Sequence, residues 1–160
     1  MNTIVIMGSA PCLAQDLAAL GDINADFMAI NAAGIAASPN ISMWATLHHV
    51  EFVNGRWDEK RGEAGGNMDF QVVFRVHEPA LKLPVVRHRG PLVSGSSTLY
   101  GVSAALSFGY ENIIIVGAPL SDPSYHMFHP GWMAMRDQIR GRVVSMSGWT
   151  REFLEGLNHG

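Results

Sequence analysis

Thr3-Ile4-Val5-Ile6-Met7-Gly8-Ser9-Ala10-Pro11-Cys12-Leu13 is a short run of β-branched and apolar residues that breaks at once into small ones. Such a run, with no polar alternation, predicts a strand buried on both faces, as in a parallel sheet covered by helices. Gly8 permits a tight turn, Ser9 and Ala10 keep bulk away from a ligand, and Pro11 suits a first helical position. A helix N-terminus placed there favours an anion through its free N–H groups and its dipole.

The same punctuation recurs along the chain. Leu13, Leu17 and Leu20 predict a helix ending at Gly21, and Phe27 to Ile30 reads as a second buried strand that stops at Asn31. Met43 to Leu47 reads as a third strand, closing at His48 and His49. Val50 to Arg61 reads as a helix, and Gly62 to Asn67 as a flexible break. Gln71 to Arg75 and Pro84 to Arg87 read as short strands. Ser94-Gly95-Ser96-Ser97-Thr98 opens a helix with apolar positions at Leu99, Val102, Ala105, Leu106 and Phe108, stopped by Gly109. Ile113 to Val116 is another continuous apolar strand, running into Gly117-Ala118-Pro119. A helix around Met133 to Ile139, a strand at Val143 to Met146 and a helix from Thr150 to Leu157, with Thr150 as its N-cap, complete the chain. This alternation predicts an α/β fold: one Rossmann-like domain over residues 1–160, with a mostly parallel sheet and helices on both faces.

Composition narrows the function classes. A chain of 160 residues fits one domain, and 48% hydrophobic residues with a mean hydropathy of +0.11 suit a compact core. A net charge of −3 gives no general attraction to nucleic acid or to an anionic membrane. The lone Cys12 excludes an intramolecular disulfide and any Cys-pair metal motif. The first apolar run lacks a preceding Lys or Arg and is too short for a secretory signal. No stretch approaches the roughly 18 to 20 apolar residues of a bilayer span. The expectation is a cytoplasmic protein with no nucleic-acid partner and no membrane span, its homo-oligomeric state left open.

In an open parallel sheet, ligands bind beyond the carboxyl ends of the strands, where strand order reverses. The predicted strands end in Gly8-Ser9-Ala10-Pro11, Asn31, His48-His49 and Gly117 to Asp122, and the Ser94-Gly95-Ser96 turn opens a helix at the same edge. Each piece has an ordinary structural use: a glycine turn packs a helix, Asn31 caps a strand, the serines cap a helix. Their joint placement is what points to a ligand, held by N–H groups and hydroxyls more than by charge. Neither a GxGxxG fingerprint nor a Walker A loop is present. His48-His49-x-Glu51, His77-Glu78, His88 and the His126 and His129 pair fit no known metal cassette, so no metal is expected. Arg56, Lys60 and Arg61, interspersed with Asp58 and Glu59, read as a solvated helix face. Arg87-His88-Arg89 reads as a short basic patch able to meet a phosphate or carboxylate, or as a surface loop. Trp132, Met133, Met135 and Trp149 read as packing residues.

Three blocks carry a family likeness. Gly8-Ser9-Ala10-Pro11-Cys12-Leu13 resembles the Gly-x-Gly-Pro-Ser-Leu loop of bacterial Rossmann-type sialyltransferases, which use CMP-sialic acid, and of related phage and bacterial glycosyltransferase-like proteins. Asp26 to Asn31 resembles that family's second strand, whose terminal Asn contacts the nucleotide. Val93-Ser94-Gly95, the helix ending Phe108-Gly109-Tyr110 and the strand ending at Gly117 resemble its Thr-Ser-Gly turn, its helix ending in Leu-Gly-Tyr and its late strand. Ser9, Ala10 and Val93 stand where the family has Asn, Gly and Thr.

The resemblance implies a CMP or CMP-sugar ligand, no further cofactor, and nucleotide contacts from Gly8, Ser9, Ala10, Pro11, Asn31, Ser94, Gly95 and Ser96. It also implies an inverting, metal-independent transfer to an acceptor hydroxyl, with a histidine as base. The matching positions are His129, preferred because Pro130-Gly131 follows it, and His126. Tyr125 would assist the leaving phosphate and Asp122 would orient a histidine. An imidazole titrating near pH 6.5 suits the base role. The functional expectation is therefore a nucleotide(-sugar)-binding protein resembling sialyltransferases. The alternatives are a non-catalytic nucleotide-binding or structural phage or bacterial module, favoured by a chain shorter than the family's enzymes, and a metal-dependent hydrolase.

Overall fold

The computed structural model describes residues 2–48, 53–75 and 83–160. Their strands are β1 (Thr3–Met7), β2 (Asp26–Ile30), β3 (Met43–Ala45), β4 (Gln71–Phe74), β5 (Val85–Arg87), β6 (Asn112–Val116) and β7 (Val143–Ser145). Their helices are α1 (Leu13–Leu20), α2 (Asp58–Glu63), α3 (Ser96–Ser107), α4 (His129–Ala134), α5 (Arg136–Ile139) and α6 (Gly148–His159). The strands form a single sheet in the order β5-β4-β3-β2-β1-β6-β7, and every neighbouring pair is parallel. This is the Rossmann-like α/β architecture that the apolar strand runs call for.

The continuous apolar strands follow from burial on both faces. All five β1 residues are buried. Ile4 and Ile6 join the cluster that contains Leu99 and Val102 of α3, Trp132 of α4 and Leu154 of α6. Val5 and Met7 point the other way, into a cluster with Trp44 and Val72 against which Leu13, Leu17 and Leu20 of α1 pack. Each of the apolar side chains Ile4 to Met7 contributes about 1.5–3 kcal/mol of transfer free energy, so a polar residue at any of those four positions would be costly.

Connection handedness decides where the site lies. From β1 the chain steps outward to β5, then crosses back through α3 to place β6 on the far side of β1. Right-handed crossovers in opposite directions put α1 and α3 on opposite faces. The reversal falls between β1 and β6, so the connections leaving them run to opposite faces of the sheet and a crevice forms beyond their carboxyl ends.

Several local expectations are corrected. Pro11 does not open α1; it lies in a turn two residues before Leu13. Arg61 is not solvated but 1% exposed. Its guanidinium donates to the carbonyls of Gly34 (3.1 Å), Pro39 (3.2 Å) and Ala36, and its Nε to that of Asn67 (2.8 Å). The loop before β3 presents these carbonyls inward, and Arg61 is the donor that satisfies them. Burial pushes its pKa below the usual arginine value.

The break at 62–67 is likewise tied down. The Asn67 amide donates to Ile41 O (2.7 Å) while its Oδ1 accepts from Ile41 N–H (3.0 Å) and from Arg61. The helix expected over 133–139 is two pieces, α4 and α5, joined by an i→i−3 bond from Met135 N–H to Trp132 O (3.2 Å). That tightening lets Trp132 and Ile139 both reach the core. Thr150 lies inside α6 rather than capping it, fully buried, with its hydroxyl on Ala118 O (2.8 Å). Of the helix expected over 50–61, residues 50–52 lie outside the described residues, 53–57 form a π-type turn and α2 begins only at Asp58. No helix among the described residues is long and apolar enough to cross a membrane.

Candidate functional site

The turn after β1 is fastened to the turn after β6. Gly8 N–H donates to Val116 O (2.8 Å) and Ala10 N–H to Gly117 O (3.0 Å). A Cβ on Gly8 would lie 2.4 Å from the Gly117 carbonyl oxygen, and one on Gly117 would lie 2.5 Å from that of Gly8. Gly117 also holds φ at +65°, which favours glycine. From below, Asp16 Oδ2 accepts Gly117 N–H (2.9 Å) and the Ser147 hydroxyl (2.8 Å). These bonds correct the picture of an open anion cradle. Of Gly8 to Pro11, Gly8 N–H is spent on β6, Ala10 N–H on the residue after that strand, and Pro11 has none, leaving Ser9 N–H outside those bonds.

Above this seam lies a cleft of about 410 Å³. Six of the sequence-predicted site residues line it: Gly8, Ser9, Ala10, Asn31, Ser96 and Tyr125. Pro11, His126 and His129 are not on its lining. Ser94 and Gly95 border an adjoining hollow of about 170 Å³ that shares Ser96 with the cleft. Their backbone meets α4, since a Cβ on Gly131 would lie 2.2 Å from Ser94 O.

Backbone strain concentrates at this cleft. Among the described residues, Asn31 (φ 51°), Ser96 (φ 83°) and Leu120 (φ 50°) are the non-glycine residues with left-handed φ, and all three line it. Each such conformation costs on the order of 1–3 kcal/mol and persists where surroundings over-determine it. For Asn31 the surroundings are visible. Its Oδ1 accepts the Thr46 hydroxyl (2.9 Å), Thr46 Oγ1 accepts His48 N–H (3.0 Å), and the Asn31 carbonyl accepts Trp44 Nε1–H (2.6 Å). With Oδ1 committed, the side chain keeps its Nδ2 donors for a ligand. Ser96 turns its hydroxyl onto Leu99 N–H (3.5 Å), which makes it the effective cap of α3. Ser97 and Thr98, the next two residues of that twelve-residue helix, follow it along the cleft wall.

The remaining walls are aromatic. Trp57, Tyr125, Phe128 and His48 contribute, with Trp57 parallel to the buried Trp44 at 6.4 Å and Tyr125 stacked near Phe128 at 6.3 Å. No Lys, Arg, Asp or Glu among the described residues lines the cleft. It is a neutral, donor-rich recess with flat apolar surfaces, suited to a planar ring and a hydroxylated body.

The two candidate histidines stand behind that wall. His129 Nε2 lies 2.8 Å from Leu120 O, and because a carbonyl only accepts, this nitrogen carries the proton and Nδ1 the lone pair. Its ring is stacked on Trp149 at 3.6 Å and lies 4.9 Å from His126. Asp122 does not orient a histidine through a hydrogen bond; its Oδ1 accepts Ser124 N–H (2.9 Å) and Oγ (2.8 Å), capping the turn Pro123–Phe128. Those bonds hold its carboxyl below the usual range. Among the described residues no group of three or more His, Cys, Asp or Glu is placed to hold a metal. His49, Glu51, His77 and Glu78 lie outside the described residues.

Thr46, Trp57, Leu120 and Phe128 were not singled out by the sequence. A polar residue closing an apolar strand is a signal that Thr46 does carry; a leucine forced to positive φ gives none. The chain matches no family model, no curated protein and no solved structure.

Proposed function

We propose that this protein binds a nucleotide or nucleotide-sugar of the CMP type in the cleft beyond β1, β2 and α3. One observation carries the reading: Gly8 to Ala10, Asn31 and Ser96 come from three distant sequence blocks and line one recess, two of them in strained conformations. In this reading the Asn31 Nδ2 donors meet base or ribose acceptors and the aromatic wall stacks the pyrimidine. Ser9, Ser97 and the α3 N-terminus face the phosphate. The cleft volume falls within the roughly 300–1,000 Å³ common for small-molecule sites.

Transfer is the second half of the proposal. A bond would form between an acceptor hydroxyl oxygen and the sugar's anomeric carbon as that carbon's bond to the CMP phosphate breaks, the hydroxyl proton passing to a base. In this reading Tyr125, which lines the cleft, would assist the leaving phosphate, and His129, whose Nε2 bonds Leu120 O, would be the base through Nδ1. A non-catalytic nucleotide-binding module is the competing reading, favoured because neither His126 nor His129 lines the cleft.

Thermal denaturation with CMP, UMP, GMP, AMP and CMP-sialic acid tests the binding claim. A ligand at about 100 times its Kd should add about 2.7 kcal/mol of stability, and no shift with any of them defeats it. Release of CMP from CMP-sialic acid then separates the two readings. Transfer predicts release that falls in Tyr125→Phe and in His129→Ala with nucleotide affinity kept; a module predicts none in the wild type.

A further inference from the structure

We propose that the hollow adjoining the cleft is an oxyanion subsite, in which Arg75 and Arg89 hold a phosphate or carboxylate group of the bound molecule. The inference deepens the nucleotide reading and rests on it, since the neutral cleft holds the rest of the ligand.

The strand edge itself makes the case. Arg75 follows β4 directly and Arg89 lies two residues past β5, so both stand at the carboxyl edge that carries Ser9, Asn31 and Thr46. With neighbouring strands about 4.8 Å apart, β4 lies about 14 Å and β5 about 19 Å from β1 along the sheet. The rim is therefore graded: hydroxyls and amides at β1 to β3, guanidinium groups at β4 and β5. A ligand whose body fills the cleft and whose far end is anionic matches that gradient.

One hydrogen bond ties the two residues to each other. Arg75 Nε–H donates to the Arg89 carbonyl (3.1 Å), which fixes the two residues side by side and leaves the Arg75 Nη donors. Among the described residues neither pairs with a carboxylate. By contrast, Arg61 is spent on buried carbonyls and Arg151 pairs with Glu155 at 3.0 Å. The hollow they border with Ser94 and Ser96 contains no acid among the described residues, and the Tyr100 hydroxyl on its wall is committed to His88 O (2.6 Å). Two guanidinium groups bordering one hollow, with no carboxylate among its described lining residues, suit a bidentate oxyanion. A hollow of about 170 Å³ accepts one such group and its waters, not a nucleoside.

The test compares wild type with the Arg75→Gln/Arg89→Gln double variant by calorimetry, using cytidine, CMP, CDP and CMP-sialic acid. Both side chains are exposed, so the fold should survive, and circular dichroism checks it. The subsite predicts unchanged cytidine affinity and a loss of roughly tenfold or more for at least one anionic ligand. A loss confined to CMP or CDP assigns a phosphate; one confined to CMP-sialic acid assigns the carboxylate. Equal affinities of both proteins for every anionic ligand overturn the subsite while leaving the nucleotide reading standing. Should no nucleoside or nucleotide bind wild type, the nucleotide reading fails. Pyrophosphate and citrate titrations followed through the arginine Nε–H NMR signals then decide the subsite. Movement of the Arg75 and Arg89 signals supports it, and stationary signals overturn it.

Discussion

Asp16 is an acid on a helix of otherwise ordinary composition, yet it is only 6% exposed and joins three parts of the chain. Its Oδ2 receives Gly117 N–H and the Ser147 hydroxyl, with the Cys12 thiol 3.7 Å away. Asp16→Ala would strand the Gly117 N–H at the floor of the crevice. The expected cost is about 1–3 kcal/mol, read as a lower urea midpoint at unchanged m value. A drop with altered m would instead mean that the native state had loosened. Legibility differs sharply between single residues at this site. Asn31 is readable because Asn is among the few residues that tolerate left-handed φ and it closes an apolar strand. Leu120 is unreadable, since its conformation is imposed by the β6 turn, the Thr150 N–H on Pro119 O (3.1 Å) and His129 on its own carbonyl. Arg61 misleads because an arginine beside Lys60 and among Asp58, Glu59 and Glu63 looks solvated until the carbonyls it satisfies are known.

At the scale of elements, the strands were legible and the joints between short helices were not. Apolar runs such as Ile4 to Met7 and Ile113 to Val116 report double-sided burial directly, whereas α2, α4 and α5 are too short to show a helical period. Two helix starts differ for a related reason: Pro11 stays in the turn before α1, whose N-cap is Cys12, and Ser147 takes the N-cap of α6 while the Thr150 hydroxyl is drawn to the buried Ala118 carbonyl. The seam between β5 and α3 shows how such contacts shape pH behaviour. His88 follows β5 and is half-buried against α3, with Nε2 3.0 Å from Ser103 Oγ and its ring 5.4 Å from that of Tyr100. Burial lowers its pKa in the folded state. Above about pH 6.5 the imidazole is neutral in both states and this seam is at full strength. Below that value the unfolded chain takes a proton that the folded one refuses, so stability falls with pH and levels off beneath the folded pKa. Urea unfolding of wild type and His88→Gln between neutral and mildly acidic pH should show a steeper decline for wild type. Parallel declines would exclude His88 as the titrating group.

The whole molecule is one sheet whose most protected part is also the floor of its cleft. β1 lies between β2 and β6 and is buried along its full length, while β5 and β7 close the two edges with exposed positions at Arg87 and Val144. Topology forces this arrangement: the first strand in the sequence lies in the interior because the chain winds outward from it in both directions, and the switch between those directions opens the crevice beside it. The rim, by contrast, is assembled from turns that carry strain at Asn31, Ser96 and Leu120. Hydrogen exchange should therefore be slowest in β1, β2 and β6, near the global unfolding limit, and faster in β5 and β7. Added CMP should slow exchange at Ser9, Ala32, Ser97 and Thr98, residues that line the cleft, and should leave the edge strands where they were apart from any rise in global stability. Protection that appeared only at β5 and β7 would place the ligand elsewhere. Uniform slowing with no excess at the rim would mean that CMP stabilises the fold without resting in the cleft.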